Sequence, residues 1–412
     1  MPSNGYHPET NMCTIDGYFA SDCQTPVDAL ECAHLLAEAS SLGRAVTPVG
    51  GGTALNLGNL PERVDLMMLT AGLSGIIDYE PTDLVISVGA GARFGDVQAV
   101  LAEHGQRLPI DPSGGADATI GGLIATARSG PLRYSAGTLR DLLIGISVAH
   151  PSGTVTKAGG MVVKNVSGYD MPRLYLGSLG TLGIITSANL KVLPRPRTEA
   201  TILTTHETAE AAFAFASRLH VAREPMAALE VVQREDAWTV AVRIEGRDQT
   251  VEMVRRRISA EAPPDFSDLD SEASAAWWAD FVSHQRPQVP KTSVLVRCGV
   301  RPKDTATLAL GIIAAMANVG VTVPYLAASP GTGGVLAELN FGTNGSAQKL
   351  AEAQALLLGL ANAATIVAAP PPWKRGIDIW GRLPDGFDVM ESLRQQFDPS
   401  RTINPGRFAG FL

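Results

Sequence analysis

Residues 47–59 read Thr-Pro-Val-Gly-Gly-Gly-Thr-Ala-Leu-Asn-Leu-Gly-Asn, and the run of three glycines constrains the fold more than any other stretch. It follows a strand-like lead-in at 44–49. Glycine loses more conformational freedom on folding than any other residue, so three in succession at a strand end need a reason. Consecutive glycines let neighbouring N–H groups converge into an anion-binding concavity and remove the Cβ atoms that would hold a ligand away. A strained tight turn is the alternative reading of the triplet. Spacing argues against two common phosphate loops. No lysine follows at the position a nucleoside-triphosphate loop requires, and Gly-Ala-Gly-Ala-Arg-Phe-Gly at 89–95 has three residues, not two, before its last glycine.

Three further segments share this texture. Residues 111–130, DPSGGADATIGGLIATARSG, carry a second glycine pair and almost nothing bulky or charged before Arg128. Residues 135–153 read SAGTLRDLLIGISVAHPSG, and residues 164–186 read KNVSGYDMPRLYLGSLGTLGIIT. Around them the apolar spacing predicts a helix over 26–42 with Val27, Leu30, Leu35 and Leu36 as its apolar set. It also predicts strands over 64–69, 75–79 and 84–88, a helix over 94–105, and a strand pair at 142–149 and 154–156. Prolines at 194 and 196 mark a boundary near 194–198. Beyond it the order β-α-β-β-α occurs twice without residue-level repetition, the pattern of two ferredoxin-like halves. Between the halves lies an acidic stretch, 263–281, ending in paired tryptophans, Trp277 and Trp278, which we expect to face a partner. The Pro-rich end, 370–412, does not continue the pattern and is expected to belong with the first domain. The expected division is 1–198, 199–369 and 370–412.

Together the four segments resemble the FAD-binding domain of the vanillyl-alcohol oxidase/p-cresol methylhydroxylase (VAO/PCMH) family, over about residues 22–197. The resemblance implies an α+β fold: a PCMH-type FAD-binding domain of two subdomains, plus a ferredoxin-like cap domain for substrate or partner. It implies that Pro48, Gly50, Gly51, Gly52, Thr53, Ala54 and Leu55 cradle the FAD pyrophosphate. Asp111, Pro112, Ala118, Thr119, Gly121 and Gly122 would run along the flavin and ribityl chain. Gly137, Thr138, Arg140 and Asp141 would follow, with Gly183, Ile184 and Ile185 at the adenine end. Some members attach flavin through a His or Cys in the first two loops; 47–60 holds no His and 105–125 no Cys, so non-covalent FAD is expected.

The fourth segment and the ending Asn-Pro-Gly-Arg are similar to the branch that oxidises 2-hydroxy acids. Many flavoenzymes of that branch read Gly-Ser-Glu-Gly where this chain has Gly177-Ser178-Leu179-Gly180. The leucine form, a short cap and FDPSRTINPGR resemble the FAD-binding E subunit of multi-subunit glycolate oxidase. That resemblance implies a second flavin subunit and an iron–sulfur subunit as partners. It also implies oxidation of glycolate to glyoxylate with electrons passed to a partner, in the cytoplasm and peripheral to the inner membrane through partner subunits. A stand-alone D-2-hydroxy-acid (D-lactate) dehydrogenase and a non-catalytic FAD-holding subunit are the alternatives.

Such chemistry needs a base for the hydroxyl proton and a cation for the carboxylate. The seven histidines are scattered, and His284, near the tryptophan pair, is the candidate base. Arg297, Arg243 and Arg375 are candidate carboxylate ligands, and Asn404 and Lys374 candidates to approach the isoalloxazine. Four cysteines, Cys13, Cys23, Cys32 and Cys298, form no C-x-x-C pair, so neither a metal nor an iron–sulfur site is written here and a reducing compartment is expected. No signal peptide or spanning segment is evident. A net charge of −8 and 6% aromatics argue against nucleic acid as a partner.

Overall fold

The computed structural model describes residues 5–7, 12–162, 168–234, 237–285 and 291–412. The start of the fourth segment, 164–167, therefore lies outside the described residues. The chain divides into two compact units: Met1–Ser129, Thr138–Arg195 and Leu383–Leu412 form one, Gly130–Gly137 and Pro196–Arg382 the other.

Of the first unit's sheets, two position the site. In the smaller, strand Leu66–Leu69 lies between Asp22–Gln24 and Val46–Val49, parallel to both. Helix Ala29–Ser41 starts at Asp28, whose carboxylate accepts the N–H groups of Leu30 and Glu31 at 2.8 Å. Its buried face is Cys32, Ala33, Leu36 and Ala39, packed with Val46, Leu66 and Met68. Val27 and Leu30, expected inside, are exposed, because Val27 precedes the helix and Leu30 falls on its outer side. Cys23 is disulfide-bonded, which corrects the expectation of a fully reduced set.

The larger sheet is antiparallel, in the order Val155–Gly159, Leu143–Ala149, Ile184–Lys191, Val85–Gly89 and Ile76–Glu80. Helices Phe94–Glu103 and Ile120–Thr126 contribute Val97, Leu101, Ile120, Leu123 and Ile124 to its core, beside Ile86, Val88, Val148 and Leu190. Burying one such aliphatic side chain is worth about 1.5–3 kcal/mol. The C-terminal tail completes the unit. Val46 N–H donates to the Thr402 carbonyl at 2.7 Å and Asn404 N–H to the Val46 carbonyl at 2.9 Å, so 402–404 runs as a parallel ribbon beside the strand that enters the glycine loop.

The second unit carries one eight-stranded antiparallel sheet. Strands Thr198–His206, Ala228–Arg234, Ala237–Gly246 and Phe266–Leu269, with helices Ala209–Ala222 and Asp248–Glu261, take the ferredoxin-like spatial order 4-1-3-2. Strands Ser293–Gly299, Thr322–Ser329, Gly334–Asn340 and Ala363–Ala368 repeat that order. The two halves join where Val231 pairs with Ala328. Two expectations are corrected here. Residues 370–382 pack in this unit, since Ile366 N–H donates to the Ile379 carbonyl at 2.8 Å and Gln354 to the Asp378 carbonyl at 2.8 Å. The tryptophan pair serves the unit's own core: Trp278 is 2% exposed and its Nε1–H donates to Thr201 Oγ1 at 2.8 Å, while Trp277 stacks on Phe281.

Candidate functional site

The glycine loop leaves strand Val46–Val49 and runs against the second segment. A Cβ on Gly50 would collide with the Thr119 hydroxyl, and one on Gly51 with the Asp117 carbonyl oxygen. The missing side chains thus let two loops touch, a reason for glycine that the sequence reading did not contain. With that contact made, a cleft opens within the first unit. From the first loop it is lined by Pro48, Gly50, Gly51, Gly52, Thr53, Ala54 and Leu55. Thr119, Gly121 and Gly122 come from the second segment, Gly183, Ile184 and Ile185 from the fourth, and Asn404 from the tail.

Other expected residues do not line this cleft. Ala118 is 1% exposed and its carbonyl accepts Phe94 N–H at 2.7 Å. The Pro112 carbonyl accepts Gly115 N–H at 2.8 Å, and Asp111 also lies outside the lining. Gly137 belongs to the other unit. Thr138, Arg140 and Asp141 form a capping box at helix Leu139–Leu142: Thr138 N–H donates to Asp141 Oδ2 at 2.8 Å and Arg140 N–H to Thr138 Oγ1 at 3.3 Å. The Thr138 N–H is also the main reason the Asp141 carboxyl is held below its ordinary pKa.

The cleft wall is rich in donors. Among the described residues, no N–H of residues 50–54 donates to a protein acceptor. Thr47 Oγ1 and Asn404 Oδ1, which belong to residues lining the cleft, are buried without a hydrogen-bond partner among the described residues. Asn404 sits at φ +48°, a left-handed conformation asparagine tolerates, with its amide nitrogen donating to the Leu179 carbonyl at 2.7 Å. Two guanidinium groups line the cleft, and no carboxylate does among the described residues. Arg128 Nη1–H donates to the Thr53 carbonyl at 3.4 Å. Arg407, 3% exposed, donates to the carbonyls of Leu55, at 2.8 Å, and Leu57, and approaches Asp16 at 3.4 Å. Burial lowers its pKa and Asp16 opposes that shift. Unsatisfied N–H groups, positive charge and a wall stripped of Cβ atoms fit the pyrophosphate of FAD. Arg128, Arg407, Leu179 and Gly180 stood in the quoted motifs but were not picked out; only their burial around the cleft distinguishes them.

The catalytic candidates lie in the second unit and do not converge. His284 is exposed at the C-terminus of helix Ser271–Ser283, its Nδ1 2.9 Å from the Asp280 carbonyl and its ring stacked on Tyr325. Arg243 is engaged by Glu199 at 2.7 Å and Glu245 at 3.2 Å. Arg375 is exposed and Lys374 fully buried. Arg297 is half-buried in strand Ser293–Gly299. Among the described residues no three His, Cys, Asp or Glu side chains could hold a metal ion, and no helix is long and apolar enough to cross a membrane.

Residues 24–159 match the FAD binding domain family. The chain is 44% identical over 124 residues to the glycolate oxidase subunit GlcE of Escherichia coli, which covers 30% of this chain and 35% of that protein. It is 32% identical over 209 residues to the glycolate oxidase subunit GlcD of Bacillus subtilis, covering 51% and 44%. It is also 34% identical over 177 residues to the mitochondrial D-lactate dehydrogenase [cytochrome] 1 of Saccharomyces cerevisiae, covering 42% and 30%. In each case the match spans less than half of the relative. Among solved structures, an alkyldihydroxyacetonephosphate synthase superposes with a TM-score of 0.66 at 17% identity, over 93% of this chain and 76% of that one, a likeness of fold.

Proposed function

The chain belongs through residues 24–159 to the PCMH-type FAD-binding family, and from that premise we propose that it is the FAD-binding subunit of a glycolate oxidase. In this reading it takes part in the oxidation of glycolate, a 2-hydroxy acid, to glyoxylate and passes electrons to partner subunits. The observation that carries the cofactor assignment is the set of N–H groups at 50–54 left without protein acceptors in the cleft. Those donors and the Arg128 guanidinium would hold the pyrophosphate, and Thr119, Gly121, Gly122 and Asn404 would line the rest of the cofactor's path. The bound flavin supplies a two-electron acceptor that the side chains of this chain cannot. No His or Cys lines the cleft among the described residues, which supports non-covalent attachment.

The subunit reading draws on the named roles of GlcE and GlcD as subunits. On it, the partners are a second flavin subunit and an iron–sulfur subunit, in the cytoplasm and peripheral to the membrane through them. The D-lactate dehydrogenase of yeast favours the second reading, a self-sufficient 2-hydroxy-acid dehydrogenase. The visible spectrum of the purified chain, before and after anaerobic glycolate, separates them. A flavin band that persists alone but bleaches once the partner subunits are added supports the subunit reading. Bleaching of the lone chain by glycolate or D-lactate supports the second. No flavin band, or a flavin that no 2-hydroxy acid reduces even with partners, overturns both. Acid precipitation of the same sample should leave a colourless pellet.

A further inference from the structure

We propose that Arg297, Glu230 and Ser329 form a binding site for a small hydroxycarboxylate on the sheet of the second unit. The proposal takes its ligand class from the 2-hydroxy-acid reading, and its residues from the sheet alone. Arg297 pairs with Leu336, Leu336 with Ala327 and Ala327 with Val232, so its side chain shares one sheet face with these apolar residues. Among the described residues it makes no ion pair or hydrogen bond. Burial and the Arg133 guanidinium depress its pKa while the Glu230 carboxylate raises it, so these charges are near one another. Arginine taken partly out of water with no carboxylate in direct ion-pair contact is costly, and an anion that arrives with the ligand offsets that cost.

The next row along the same face explains where such a ligand fits. Ser329 pairs with Gly334, and Gly334 with Gly299. Neither glycine has a left-handed φ, and a Cβ built on either would meet nothing within 4 Å. The backbone therefore does not require glycine at these positions; the row is a depression without side chains. Its closed end is Glu230, 4% exposed, whose two oxygens lie 2.8 Å from the Ser329 hydroxyl. Arg133 is exposed and gives the site an open, positive side. Its segment is fixed by Tyr134, whose hydroxyl lies 3.0 Å from His220 Nδ1. A carboxylate on Arg297, with its α-hydroxyl donating to Glu230, uses both charges.

The test is calorimetric titration of the full chain with glycolate and with acetate, its flavin reduced beforehand so that glycolate is not consumed. The parent should bind glycolate about tenfold more tightly than acetate, the discrimination one added hydrogen bond gives. Arg297→Met should weaken both at least tenfold. Gly334→Val fills the depression without touching a charge and suits a strand; it should abolish binding while the tryptophan emission stays that of the folded parent. Glu230→Met should erase the preference for glycolate. Absence of binding by the parent, or unchanged binding in both Arg297→Met and Gly334→Val, overturns the site. If glycolate bleaches the flavin of Arg297→Met at the same half-saturation as the parent, the site falls and the oxidase reading stands. If binding follows the site while no flavin is ever reduced, the oxidase reading falls and the site stands.

Discussion

A Cβ at residue 51 would fall on the carbonyl oxygen of Asp117, a backbone atom with no freedom to swing aside, whereas one at residue 160 would meet nothing within 4 Å. Gly51→Ala is therefore expected to cost about 1–3 kcal/mol, the range for overpacked sites, and to lower the flavin-to-protein ratio of the purified chain several-fold. Gly160→Ala should stay within about 0.5 kcal/mol and keep its flavin. Thermal melting and the visible absorption of the bound flavin read the two effects. A Gly51→Ala chain that melts and binds like the parent would remove the loop contact as the reason for this glycine. The triplet was legible as a place where backbone is approached closely, because local composition announces it. That the first neighbour is the second loop was not, since Asp117 and Thr119 are distant in sequence and no local pattern pairs them. Arg407 shows the same limit. It stood in the quoted ending, yet its burial depends on Asp16 and on two carbonyls of the first loop, from the other end of the chain.

At the scale of elements, segments with a clear apolar pattern were readable, the short strands Leu66–Leu69, Ile76–Glu80 and Val85–Gly89 among them. The repeated order of strands and helices in the second unit followed from alternation and helical spacing, whose period is intrinsic to each element. Strand Phe266–Leu269 was missed because it is four residues long, carries Asp268 and becomes a strand only by pairing with Thr198–His206 at the sheet edge. Edge strands are kept short and charged, which also hides them. The hairpin of Leu143–Ala149 and Val155–Gly159 supports a pH prediction. His150 at its turn is 4% exposed, with Nε2 2.8 Å from the Thr156 hydroxyl, and burial lowers its pKa against a weaker opposing interaction in which the ring donates to the backbone of Leu182. The folded state thus holds fewer protons than the unfolded one near the ordinary histidine value of about 6.5. Its contribution is full above that value, declines as pH falls through it, and levels off only below the lowered pKa of the folded state. Melting followed by flavin release should drop in temperature over that acid window, and His150→Asn should flatten the dependence. An unchanged slope in the variant would assign the window to other groups.

For the molecule as a whole, two optical reporters fall on different units. All five tryptophans, at 238, 277, 278, 373 and 380, lie in the second unit, and Trp238 and Trp278 are buried there. The proposed flavin cleft lies wholly in the first. The first unit is also the one that depends on the end of the chain. Ending the chain at residue 401 removes the Thr402 carbonyl that receives Val46 N–H, the Asn404 amide on Leu179, and the Arg407 guanidinium beside Asp16. Removing one partner of a buried ion pair alone costs about 3–5 kcal/mol, because the remaining charge is stranded. None of the lost groups belongs to the second unit. The shortened chain should therefore lose flavin more than tenfold while its tryptophan emission keeps the short-wavelength maximum of buried indole. In the full chain, heating should release flavin fluorescence and shift tryptophan emission at separate midpoints, since two units with their own cores need not melt as one. If truncation shifts the tryptophan emission together with flavin loss, and both reporters melt at one temperature, the units fold as a single cooperative body. The tail would then stabilise the whole chain through the first unit, not the flavin cleft alone.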